Sequence, residues 1–82
     1  MQKMLFLFNP RSGKAQLKNH LLEIIDIFTK AGYEVTARPT QRNNDAYEYV
    51  KIHAPAFDRI VVSGGDGTLN EAVRGIMEIP EE

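Results

Sequence analysis

Residues 60–71 read Ile-Val-Val-Ser-Gly-Gly-Asp-Gly-Thr-Leu-Asn-Glu, and they change from β-branched to small to helix-forming types. The run Ile60–Val62 is typical of a buried strand. Gly64, Gly65 and Gly67 then break the pattern and predict a loop. Apolar residues return afterwards at helical spacing: Leu69, Ala72, Val73, Ile76 and Met77. This stretch therefore predicts a strand, a glycine loop and a helix in direct succession.

Such a loop is suited to binding an oxyanion. We expect its glycines to adopt positive φ angles and, lacking a Cβ, to let a phosphate reach the backbone amides. The first N–H groups of the following helix and the hydroxyl of Thr68 add donors. The alternative is an ordinary tight turn in which Asp66 or Thr68 caps the helix. The pattern matches neither a Walker loop nor the dinucleotide fingerprint, because Asp66 and Asn70 stand where those motifs need other residues.

A second candidate phosphate loop follows the first apolar run of the chain. Met4–Phe8 is continuously apolar, as expected of a strand buried on both faces of a parallel sheet. The loop Asn9–Lys14 offers Ser12, Gly13 and the cations Arg11 and Lys14 to an anion. The alternative is a plain turn with solvated charges. Both loops serve one site only if the first and third strands are neighbours.

The remaining segments predict an α/β fold. An amphipathic helix ends at Gly32, an edge strand spans Tyr33–Ala37 and stops at Pro39, and a weaker helix precedes Pro55. The order β-α-β-α-β-α with right-handed crossovers requires an open parallel sheet with helices on both faces. We expect a three-layer, Rossmann-like sheet with strand order 2-1-3, forming one truncated subdomain over residues 1–82. The first helix should bury a wide stripe: Leu17, Leu21, Leu22, Ile24, Ile25, Ile27 and Phe28.

Composition narrows the classes of function. A net charge of −1 gives no reason to expect nucleic acid as a partner, and the lack of cysteine excludes disulfides and thiolate metal sites. The longest apolar run is too short for a signal peptide or a membrane span, so we expect a cytoplasmic protein. Neither His20 nor His53 has a second ligand at metal spacing, and no metal site within the chain is predicted.

The motifs resemble those of the diacylglycerol kinase catalytic domain family, which includes bacterial lipid kinases. Asn9-Pro10 with Ser12-Gly13 looks like the opening strand-and-loop motif of the family, and the stretch 64–71 is similar to its signature. The core 64–68 is shared with NAD kinases, so a fragment of an NAD kinase is one alternative. A nucleotide-binding module without catalysis is another.

The resemblance implies the ATP-binding part of a lipid kinase that transfers the γ-phosphate to a lipid hydroxyl, with ATP and Mg²⁺ as cofactors. It implies that a second, β-rich domain absent from these residues carries the lipid pocket, the catalytic base and the metal ligands. We therefore expect no turnover from the isolated chain, and peripheral membrane contact only in a full-length protein. By resemblance, the ATP site comprises Asn9, Pro10, Arg11, Ser12, Gly13, Thr40, Gly65, Asp66, Gly67, Thr68, Leu69, Asn70 and Glu71.

Overall fold

The structure is a computed structural model, and it describes residues 1–11 and 15–79. The strands are β1 (Gln2–Phe8), β2 (Tyr33–Pro39) and β3 (Arg59–Ser63). The helices are α1 (Ala15–Lys30), α2 (Asp45–His53) and α3 (Asp66–Met77), and a 3₁₀ turn over Ala54–Ala56 follows α2. Within the two described ranges, no helix has both the length and the apolar character needed to cross a bilayer.

The three strands form one parallel sheet in the order β2-β1-β3. Met4 of β1 is in register with Val35 of β2 on one side and with Arg59 of β3 on the other. The central position of β1 explains why its residues from Met4 to Phe8 are all buried, whereas β2 alternates at the edge. The predicted element order and strand order are both confirmed.

Helices cover both faces of the sheet, as a three-layer fold requires. On one face, the ring of Phe6 lies 5.9 Å from the ring of Phe28 in α1, in an edge-to-face arrangement. On the other face, α2 and α3 pack over the alternate residues of β1. The core there consists of buried residues from the strand and both helices, together with the 3₁₀ turn: Leu5, Leu7, Ala46, Val50, Ala54 and Ala72.

The buried stripe of α1 is narrower than predicted. Leu22 is 83% exposed and Ile27 is 62% exposed, so neither widens the face that packs on the sheet. The sheet has only three strands, and α1 contacts mainly the edge strand β2. A helix over the rim of a small sheet buries a narrow face, and the prediction of a wide stripe was wrong.

The buried face of α3 is not the face that the spacing of its large apolar residues predicts. Its buried residues are Thr68, Ala72 and Gly75, and the apolar side chains are exposed: Leu69, Val73, Ile76 and Met77. Small residues face inward because α2 lies very close. A Cβ placed on Gly75 would lie 2.7 Å from the backbone oxygen of Tyr47, so only glycine permits this helix contact.

Candidate functional site

Two loops meet at the carboxyl ends of β1 and β3, and Asn9 joins them. Its backbone N–H donates to the carbonyl of Ser63 at 3.0 Å, and its side-chain nitrogen lies 3.4 Å from the hydroxyl of Thr68. The side-chain oxygen of Asn9 accepts the N–H of Arg11 at 2.9 Å, which shapes the start of the first loop. The strand order 2-1-3 thus brings both candidate phosphate loops to one place.

Gly64 allows the two loops to approach each other closely. A Cβ at this position would lie 3.0 Å from the Cβ and hydroxyl of Thr68 and 3.2 Å from the Cβ of Asn9. The first glycine of the loop therefore serves the contact between protein segments, and any larger residue would push them apart.

The prediction that all three loop glycines have positive φ was wrong for Gly65 and Gly67. Of the described glycines, only Gly32 and Gly64 have positive φ, whereas Gly65 has φ −77° and ψ 179°. Gly65 is the N-cap of α3, and Gly67 lies in the first turn of this helix, where ordinary backbone angles apply. A Cβ at either position would have no atom of residues 1–11 or 15–79 within 4 Å, apart from its chain neighbours and its own helix backbone. These two glycines leave open space beside the backbone, which a phosphate needs.

The amino terminus of α3 presents free donors. The N–H groups of Thr68 and Leu69 bond to the carbonyl of Gly65, whereas those of Asp66 and Gly67 have no partner among residues 1–11 and 15–79. None of the described side chains caps the helix, so neither Asp66 nor Thr68 has the capping role of the alternative interpretation. Free amides at the positive end of a helix dipole attract anions.

An open cleft of about 380 Å³, which includes the solvent-filled space at its mouth, lies beside these loops. Its lining includes five residues predicted for the ATP site: Asn9, Arg11, Thr40, Thr68 and Glu71. It also includes three that sequence reasoning missed: Gln41, Arg42 and Asn43. They directly follow Thr40, at the carboxyl end of the edge strand, and that position was the available signal.

The cleft carries charges of both signs. Arg11 and Arg42 are exposed cations, and Glu71 is a partly buried carboxylate. The guanidinium of Arg42 bonds to the carboxylate of Glu48 at 2.5 Å. This hydrogen bond and the charge of Glu48 raise the pKa of Arg42 above its ordinary value. Arg42 is therefore a permanent cation beside the cleft.

Among the remaining predicted residues that the structure describes, none is part of the cleft lining: Pro10, Gly65, Asp66, Gly67, Leu69 and Asn70. Leu69 and Asn70 are exposed to solvent. Ser12 and Gly13 lie outside the described residues. Contact with ATP stays a prediction for all thirteen residues, both the five that line the cleft and the remaining eight: Pro10, Ser12, Gly13, Gly65, Asp66, Gly67, Leu69 and Asn70.

Known proteins with similar sequences are diacylglycerol kinases. The family model of the diacylglycerol kinase catalytic domain matches residues 3–82. The chain is 42% identical over 76 residues to a diacylglycerol kinase of Staphylococcus carnosus, a match that covers 92% of this chain and 25% of the relative. It is 39% identical over 77 residues to a diacylglycerol kinase of Bacillus subtilis, again covering 93% of this chain and 25% of the relative.

A similar fold occurs in a solved structure. A diacylglycerol kinase from Bacillus anthracis superimposes with a TM-score of 0.74 at 30% sequence identity, over 95% of this chain and 29% of that one. The chain spans about a quarter of the length of the curated relatives it matches. A family match over nearly all of its residues, together with this fold, shows that the chain belongs to the diacylglycerol kinase catalytic domain family.

Proposed function

We propose that the chain is the ATP-binding part of a lipid kinase, which transfers the γ-phosphate of ATP to a lipid hydroxyl such as that of diacylglycerol. The observation that carries this proposal is the direct link between the two loops through Asn9, whose side chain reaches both Thr68 and Arg11. Nucleotides in open α/β sheets bind at this kind of position, outside the carboxyl ends of neighbouring strands.

The triphosphate binds where the two loops meet. The free N–H groups of Asp66 and Gly67 face it from α3, and the open space at Gly65 lets it approach the backbone. A helix terminus of this kind contributes about 0.3–1 kcal/mol per charge at an exposed site. The exposed cation Arg11 adds attraction for the same anion, whereas the charge of Arg42 is paired with Glu48 and acts only at short range.

The nucleotide arrives as MgATP, with the metal bound mainly by phosphate oxygens and water. Magnesium sites in kinases take one or two protein carboxylates in addition to the substrate phosphates. Asp66 is exposed in the first turn of α3 and offers one such carboxylate, through bound water. No cluster of three potential metal ligands occurs within residues 1–11 and 15–79.

The lipid-binding half of the reaction lies outside these residues in this proposal. Phosphoryl transfer needs the nucleotide, the metal and the attacking hydroxyl in line, and the described residues account for the nucleotide alone. A second, β-rich domain supplies the lipid pocket and the catalytic base, and peripheral contact with a membrane follows from the lipid substrate. The protein itself is cytoplasmic in this proposal.

Two other functions use a similar sheet. A fragment of an NAD kinase would share the glycine core, but the relatives that match over nine-tenths of this chain carry the name diacylglycerol kinase. A module that binds nucleotide without catalysis differs from the proposal only in turnover, which an assay measures directly.

The experiment is a phosphoryl-transfer assay with γ-labelled ATP and vesicles that contain diacylglycerol. A full-length protein that carries these residues should label the lipid, and the 82-residue chain alone should not. Nucleotide binding without labelling by the full-length protein would favour the non-catalytic module. Labelling of NAD in place of lipid would favour the NAD kinase.

A further inference from the structure

A buried carboxylate lies behind the cleft, at the start of α2. Asp45 is only 5% exposed and is not part of the cleft lining. One of its oxygens accepts the backbone N–H of Gln41 at 2.8 Å. The same guanidinium nitrogen of Arg38 donates to both of its oxygens, at 3.1 and 3.2 Å. Asp45 thus ties the loop to the strand that precedes it.

The loop between β2 and α2 is fixed at both ends. At its start, the N–H of Thr40 donates to the carbonyl of Phe8 in the central strand at 2.8 Å. At its end, the N–H of Asp45 donates to the carbonyl of Arg42 at 3.1 Å, and Asn44 adopts the left-handed conformation at φ 68°. The backbone N–H of Asp45 thus bonds to Arg42 and its carboxylate bonds to Gln41, so both parts of this residue stabilise the same turn.

Every residue from Thr40 to Asn43 lines the cleft, so the closed turn determines what the nucleotide meets on that side. The other side-chain hydrogen bonds of this turn among the described residues lie at exposed positions, where they are made by Gln41, by Arg42, and by Arg74 to Asn44. A buried carboxylate with its hydrogen bonds satisfied provides a rigid anchor in such a place.

The charge of Asp45 also fixes Arg38. The guanidinium lies 4.4 Å from the centre of the Tyr49 ring, on the side of the sheet covered by α2, and it is about one-third exposed. Its Nε is buried without a hydrogen-bond partner among the described residues. Asp45 is the anion that balances this cation. Without Asp45, the guanidinium of Arg38 would lose its counter-ion and keep its contact with the ring of Tyr49.

We propose that Asp45 is a positioning residue for the nucleotide: through Gln41 and Arg38 it holds the segment 40–43 in the conformation that contacts ATP. This inference rests on the proposed function. The segment contacts the nucleotide before and during phosphoryl transfer alike, so its loss weakens binding without slowing the chemical step. Replacement of Asp45 should therefore raise KM for ATP about tenfold or more and change kcat less than threefold.

The test compares Asp45→Ala and Asp45→Asn in the full-length kinase, with steady-state kinetics in ATP and in lipid and a thermal unfolding curve for each variant. Asparagine keeps one oxygen for the N–H of Gln41 and loses the charge that holds Arg38. It should therefore restore part of the ATP affinity lost in the alanine variant. KM for the lipid should not change in either variant.

Asp58→Ala is the matched control. Asp58 also links two segments, since its carboxylate accepts the N–H of Lys3 at 2.7 Å and its own N–H donates to the carbonyl of Lys3 at 2.8 Å. That link lies at the amino end of β1, away from the cleft. The control should lower the unfolding temperature and leave KM for ATP within twofold of the wild-type value.

Three results would overturn the inference. The first is a KM for ATP within twofold of wild type in both the Asp45→Ala and the Asp45→Asn variants, each shown to be folded. The second is an equal rise of KM in the Asp58→Ala control, and the third is an unchanged KM with a fall in kcat alone. Wild-type protein without ATP-dependent activity would instead refute the proposed function, and this is measured before any variant is made.

Discussion

At the scale of single residues, Asn9 is the residue that connects the two loops of the site. Its backbone N–H donates to the carbonyl of Ser63. Its side-chain oxygen accepts from Arg11, and its side-chain nitrogen lies toward the hydroxyl of Thr68. The amide makes both contacts at the same time. This role could not be predicted from the sequence, because the partners of an amide depend on which strands are neighbours.

We predict that Asn9→Asp weakens ATP binding by about tenfold, equivalent to about 1.4 kcal/mol. The carboxylate still accepts the N–H of Arg11, and the hydroxyl of Thr68 can donate to it, so the fold should be retained. The new negative charge, however, would face the triphosphate. Calorimetric titration with MgATP measures the change.

Asn19→Asp adds the same charge on the exposed surface of α1 and should leave ATP affinity unchanged. Equal affinity in the two variants would mean that Asn9 does not face the nucleotide.

At the scale of elements, the contact between α2 and α3 depends on one glycine. Gly75 is buried, and its missing side chain lets the backbone of Tyr47 and the side chain of Val50 approach. The donation from Arg74 to the side-chain oxygen of Asn44 at 3.0 Å adds a second link between these helices. The pairing positions the amino terminus of α3 relative to the loop that carries Thr40.

The sequence predicts that α3 exists, but it does not predict that the helix already begins at Asp66 or which face it buries. Apolar periodicity points to Leu69, Val73 and Ile76, whereas the close partner helix admits only small residues at that contact. The spacing of Ala72 and Gly75 is compatible with a close helix contact. Recognising that contact requires the position of α2, which periodicity alone does not give.

We predict that Gly75→Ala destabilises the fold by about 1–3 kcal/mol, the usual cost of overpacking. Alanine has the higher helix propensity by about 1 kcal/mol, so a loss of stability would report the clash with Tyr47 and Val50 directly. Urea denaturation of the wild-type and variant proteins measures the difference.

Gly67→Ala is the control in the same helix, since a Cβ there meets nothing within 4 Å. It should be neutral or stabilising. Equal destabilisation in the two variants would show that α2 does not crowd Gly75.

At the scale of the whole molecule, the strand order determines which segments line the cleft. With β1 at the centre, the loops after β1 and β2 and the first two turns of α3 meet at one end of the sheet and line the cleft. The fully apolar run 4–8 is typical of a strand buried on both faces and favours the central position for β1. Contributions from Gln41, Arg42 and Asn43 were missed because polar loop residues carry no periodic signal.

The central claim is that the triphosphate approaches the bare backbone at the start of α3. The most direct test is the ATP affinity of Gly65→Val, with Gly65→Ala as an intermediate step. Valine readily adopts φ −77°, and its Cβ would lie more than 4 Å from the atoms of the described residues apart from its chain neighbours, so the variant should fold, while its branches occupy the space assigned to the phosphate. We predict that ATP affinity falls tenfold or more for Gly65→Val, falls less for Gly65→Ala and does not change for Ala56→Val at the opposite end of the sheet. Wild-type ATP affinity in a folded Gly65→Val protein would contradict the claim that the triphosphate approaches this backbone.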